Sequence, residues 1–297
     1  MQVDLANVTT TNLLATDLSP DTTIETDTAS STGTGHLDGN IDINGAINAS
    51  GSETLTLQSG SGSIDVSGLI GATDGLGTVA INTTAGAEGN EATGTIAIPG
   101  IGSADGSSTS GIDSGSTFTA GNTNTASITL DGDMYFTDGN TLFEAASGNT
   151  IDNDQSSTAV TDFITSGDSI EFKGGTLYLQ DDTTGVSIAT SGGAVTINSL
   201  DGDHDETVTI DAGAGAVTVG RIGGSNALTS PNNVEGIKSV AITSSHATGI
   251  TLSGNITTSD TADSDVGFTG KVVIDGAVAI DTSQGADGDI TFSSTIN

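Results

Sequence analysis

Gly215-Ala216-Val217-Thr218-Val219-Gly220-Arg221-Ile222 sets aliphatic side chains at alternate positions, pauses, and then supplies one more. The same pattern recurs along the chain. Ile41, Ile43 and Ile47 follow Gly39; Ile64, Val66 and Ile70 follow Gly62; Ile96, Ile98 and Ile101 follow Gly94. Further on, Val195, Ile197 and Leu200 follow Gly193; Val272, Ile274 and Val278 follow Gly270; Ile290, Phe292 and Ile296 follow Gly288. Gly77 to Ile81 is a shorter version, and Gly249 to Ile256 lacks only the spacer after its Gly. Alternation with period two is the mark of a strand with one buried face. A unit repeated this often is the fold itself, because each copy buries its apolar face only against its neighbours.

A second strand type precedes some of these units. Glu53-Thr54-Leu55-Thr56-Leu57, Glu206-Thr207-Val208-Thr209-Ile210 and Lys238-Ser239-Val240-Ala241-Ile242 each stand a short, similar distance ahead of a Gly-led strand. Equivalent strands recur after 23 residues (Ile41 to Ile64), 24 (Leu55 to Val79) and 22 (Val195 to Val217). The steps Val208 to Val240 and Val240 to Val272 are each 32 residues, as if a loop were inserted. A hairpin meander does not need two strand types to return together at that distance, but stacked parallel coils do. The expectation is an all-β parallel β-solenoid (β-helix) of ten to twelve coils, with an irregular mid-chain insertion.

Composition agrees. Apolar residues are 33% of the chain and aromatics 3%, too few for a thick globular core but enough for one that is a side chain wide. The 43 Gly suit a chain that turns every few residues, where positive φ is needed at corners. Only Pro20, Pro99 and Pro231 are present, as expected where a ladder cannot spare an N–H. The net charge of −34 rests on 38 acidic residues against Lys173, Arg221, Lys238 and Lys271. Such a chain repels nucleic acid and anionic membrane surfaces and attracts cations. It contains no Cys, no apolar run long enough to span a membrane, and no signal-peptide pattern in residues 1–20.

Four regions are expected. Residues 1–35 form an arm or cap, 36–102 a block of regular coils, 103–167 an irregular insertion or wider coils, and 168–297 regular coils again. Five of the seven Phe residues lie between 118 and 172, which points to a wider core there. A short helix is conceivable near 141–147.

Runs such as Gly39-Asn40-Ile41-Asp42-Ile43-Asn44-Gly45-Ala46-Ile47 and Gly288-Asp289-Ile290-Thr291-Phe292-Ser293-Ser294-Thr295-Ile296 resemble the strand repeats of filamentous-haemagglutinin-like β-solenoid adhesins and fibre proteins of bacterial surfaces. The likeness covers roughly 36–102 and 168–297. It implies an extracellular structural or adhesive role, with partners that are further copies of the chain or cell-surface and matrix glycans. The secretion domain and membrane barrel of that family are not recognisable.

Candidate sites are few. Asp201-Gly202-Asp203-His204-Asp205-Glu206 is the densest acidic cluster, and Asp201, Asp203, Asp205 and Glu206 are its candidate calcium ligands, since carboxylate oxygens are the donors Ca²⁺ takes. The cluster departs from an EF-hand loop, with Ala212 where the twelfth-position Glu belongs. No cofactor is required by any motif. His36, His204 and His246 share no metal spacing, and no nucleophile elbow is present. A polysaccharide-acting solenoid enzyme is a poor match to four basic residues, no Trp, and only Tyr135 and Tyr178 as tyrosines. Ice binding needs a plane of paired threonines, and only Thr54/Thr56 and Thr207/Thr209 qualify. A surface-exposed binding module for glycans, or for calcium-dependent adhesion, is the alternative to a filament. Assembly through solenoid ends is expected to use Val3 and Leu5 at one end and Ile290, Phe292 and Ile296 at the other.

Overall fold

A computed structural model describes residues 2–4, 10–18, 21–26, 39–83, 92–103, 110–152, 160–180, 184–224, 236–259, 264–282 and 288–297, with no side-chain description for 2–4 and 10–17. Every regular element among them is a strand, and the pairings between strands are parallel. The fold is an all-β parallel β-solenoid. Two compact units divide it, Met1–Asn149 and Thr150–Asn297.

Each unit contains three ladders rather than the two suggested by the two strand types. In the first unit one ladder runs Thr11, Ile41, Ile64, Ile96, Ile128, residue opposite residue. Another joins Ile47, Ile70, Ile101 and Tyr135. A third stacks Val3, Ile24, Leu57, Ile81, Ala120 and Phe143. The second unit repeats the plan. Its first ladder is Ile170, Val195, Val217, Ile250, Val272, Ile296. Its second is Leu177, Leu200, Ile222, Ile256, Ile280. Its third is Thr161, Val186, Val208, Val240, Val266, Ile290. For Ile47, Ile70, Ile101, Leu200, Ile222 and Ile256 the isolated third aliphatic of the sequence unit is therefore the core residue of a ladder of its own.

The first ladders close four complete turns in one unit and five in the other, fewer than the ten to twelve coils expected. Coil length is the reason. Successive first-ladder residues are 30, 23, 32 and 32 apart in the first unit, and 25, 22, 33, 22 and 24 in the second, so loops lengthen four coils to 30 or more residues.

Four further readings are corrected. Val240 stacks on Val266, not on Val272, which belongs to the first ladder. The third aliphatic after Gly270 is Ile280, opposite Ile256, not Val278. Ile290 and Phe292 extend the third ladder, so the unit after Gly288 is not one of the Gly-led first-ladder strands it resembles. No helix forms at 141–147. Met134–Ile151 is one long bent strand, with Phe143 opposite Ala120 and fully buried. Burial of that ring inside a parallel ladder outweighs the weak local helical preference.

The core is aliphatic and narrow. Ile41, Ile43, Ile64, Ile96, Val195, Val217 and Val219 have at most 1% of their surface exposed. Residues 112–151 and 160–179 carry most of the aromatic core while keeping ladder register. In the first unit Phe118 and Phe143 lie 5.5 Å apart, and Tyr135 meets Phe143 edge-on at 6.2 Å. In the second, Phe163 and Phe172 are edge-on at 5.1 Å.

Two devices tighten the corner that leads from the third ladder to the first. One is a column of glycines. A Cβ on Gly62 would stand 2.3 Å from the carbonyl O of Gly39, and one on Gly215 would stand 1.9 Å from that of Gly193. The other is a buried hydroxyl two residues beyond the last inward residue of the strand. Ser59 Oγ donates to the Gly62 carbonyl at 2.6 Å and Thr190 Oγ1 to that of Gly193 at 2.5 Å. Thr26 and Thr165 make the same bond to Gly39 and Asp168. The hydroxyl gives a corner carbonyl a hydrogen-bond partner where the chain leaves the ladder.

Candidate functional site

The acidic corner 201–206 joins the strands Val195–Gly202 and Glu206–Asp211 in the second unit. The structure does not gather its carboxylates around a common point. Asp201 is 5% exposed and its Oδ2 accepts from Arg221 Nη1 at 3.0 Å. The same nitrogen donates to the Gly223 carbonyl at 2.7 Å, so the only Arg of the chain clamps two neighbouring coils. Asp203 Oδ1 lies 3.2 Å from His204 Nδ1. Asp205 adopts φ +57° and its Oδ1 accepts from Ser259 Oγ at 2.7 Å. Glu206 points the other way, into the coil. Its Oε1 accepts from the backbone N–H groups of Asp203 and His204, at 3.1 and 2.8 Å. Among the described residues, no three His, Cys, Asp or Glu side chains are grouped so as to hold a metal ion. The sequence reading missed the reason: Asp201 has a guanidinium partner from the next coil, and the period-two pattern sends Glu206 inward with Val208 and Ile210.

Electrostatics at the corner follow from burial. Glu206 has no exposed surface, and loss of hydration pushes its carboxyl up to about 7, against the backbone donors that favour the charged form and with the help of the Asp203 charge. Tyr178, opposite Asp201 in the ladder, is raised above its ordinary value by burial first and then by the charge of Asp203 and its hydrogen bond.

The expected assembly residues fall in two groups. Leu5 and the Val3 side chain lie outside the described residues, although the backbone of Val3 pairs with Ile24. At the other end, Ile290–Phe292 pairs with Val266–Phe268 and Ile296 with Val272. Ile290 and Ile296 are 42% and 52% exposed, and Phe292 stacks on Phe268 at 5.1 Å.

Register also builds a surface that pairs within one strand do not reveal. Thr196, Thr218 and Thr251 stand in one outward column, bounded by Glu171 and Val273. The column is one threonine wide, and Ala194, Ala216 and Gly249 stand immediately before the same strands. Among the other candidates, His246 bonds locally to Thr248 Oγ1 at 2.7 Å, and His36 lies outside the described residues. Neither a protein-family model, nor a curated protein, nor a solved structure matches the chain.

Proposed function

We propose that the chain is a structural extracellular protein, a segment or subunit of a surface filament or adhesin that works by stacking coil upon coil. The observation that carries this reading is the edge formed by 290–296. Its strands are paired on one side in ladder register, and two of its isoleucines are 42% and 52% exposed. A regular strand edge with an apolar inner face is a template for another parallel coil, whichever chain supplies it. Contact between unlike ends is heterologous and builds fibres rather than closed rings. The charge of −34 supports a surface location away from nucleic acid and from insertion into a membrane.

Negative-stain imaging and sedimentation of the purified chain test the reading. Fibres or higher oligomers at raised ionic strength, lost in an Ile290→Lys/Phe292→Lys double variant, are the expected result. A chain that stays monomeric at every salt concentration and retains a glycan on an array would make it a binding module instead.

A further inference from the structure

Of the three buried acids among the described residues, Glu144 is 8% exposed, Asp201 5% and Glu206 0%. Asp201 has Arg221 as its counter-ion. Glu206 has no ion pair among the described residues, and its Oε2 is buried with no hydrogen-bond partner. That oxygen is wedged against Gly202, where a Cβ would stand 2.3 Å from it, and the Ile237 side chain borders the same space. The other oxygen holds the corner shut by taking the N–H groups of Asp203 and His204. One side chain therefore closes the turn and fills an apolar niche with an oxygen that has nothing to bond.

We propose that Glu206 is a proton-operated latch on the corner 201–206, closed while its carboxyl is neutral and loosened when it ionises. A neutral carboxyl tolerates an unpartnered buried oxygen far better than an anion does. The two backbone donors on Oε1 offset part of that penalty, but they leave Oε2 dry. The anion reaches water only if the turn lifts off, and lifting it also strains the Ser259–Asp205 and Arg221–Asp201 ties to neighbouring segments. The charge of Asp203 acts in the same sense. Asp201, Asp203, Asp205 and His204 lie on the corner itself and Tyr178 on the adjoining strand. Arg221 is engaged by Asp201, and Lys238 sits in the register shift between Glu206–Ile237 and Thr207–Ser239. The strand Gly185–Ala189, paired on the other side, brings no titratable group.

Amide exchange of the intact chain in EDTA between pH 6 and pH 8, corrected for intrinsic rates, reads the latch directly. Protection of the Asp203 and His204 amides should be about tenfold lower at pH 8 than at pH 6, the ratio set by linkage to a carboxyl near 7. The hydroxyl-stapled corner at Thr190–Gly193, which contains no acid, should not respond. Glu206→Gln should abolish the dependence and His204→Gln should preserve it. A flat wild-type profile overturns the proposal, and so does a response that disappears in His204→Gln while surviving in Glu206→Gln. If Glu206→Gln does not fold, carbon-detected titration of the wild-type Glu206 carboxyl decides: a midpoint near 7 supports the latch, and one near the ordinary 4.5 overturns it.

Discussion

At the scale of single residues, inward and outward neighbours differ sharply in what they tolerate. Val217 and Val219 are fully buried and Thr218 between them is exposed. Val217→Asp places an unpaired charge between stacked coils and should destabilise by several kcal/mol, about 3–5, in urea unfolding. Thr218→Asp, one position along, should stay within about 0.5 kcal/mol. Glu206 gives a second prediction. Its folded carboxyl sits at about 7 against an ordinary 4.5, so the folded state holds a proton that the unfolded chain has released. The stability this represents is fully present below about 4.5 and is lost as pH rises through about 7, up to about 3 kcal/mol. Melting curves of wild type and Glu206→Gln should therefore diverge between those limits and run parallel outside them.

At the scale of elements, the strands were legible because period two and burial coincide. Ile41/Ile43, Ile64/Val66, Ile96/Ile98 and Val195/Ile197 all read correctly, and all lie in one kind of ladder. The corners were not legible. Ser59 and Thr190 look like ordinary loop residues in sequence, yet each closes a turn by bonding a buried carbonyl three residues ahead. Glycines differ in the same hidden way. Gly215 faces the Gly193 carbonyl at 1.9 Å from an added Cβ, whereas Gly267 has nothing within 4 Å. Gly215→Ala should cost about 1–3 kcal/mol through forced separation of coils, and Gly267→Ala should be neutral or slightly stabilising. Differential scanning calorimetry of the two variants distinguishes them, and equal effects would discredit the close-approach account.

At the scale of the whole molecule, charge dominates the response to solvent. A net −34 on 297 residues is a large unbalanced negative charge, whose self-repulsion is screened over about 8 Å at physiological salt and over less as salt is added. Added NaCl should raise the melting temperature. With Asp201 engaged by Arg221 and Glu206 turned inward, Ca²⁺ and Mg²⁺ at equal concentration should raise it equally. A selective effect of Ca²⁺, reversed by EDTA, would restore Asp203 and Asp205 as calcium ligands.

Sequence by itself determined that this chain is a parallel β-solenoid, because alternation and coil spacing are local properties written into every unit. It also determined the acidity, and with it the classes of partner that electrostatics repel. Only the tertiary structure decided which strand stacks on which. Val272 and Val266 are both valines in alternating runs, and loop length alone tells which of them lies above Val240. Tertiary structure likewise decided the fate of the acidic cluster. Asp201 meets a guanidinium twenty residues on, and Glu206 is buried by the same period that buries Val208. Register between coils is a sum over long-range contacts, and a window of sequence does not contain it.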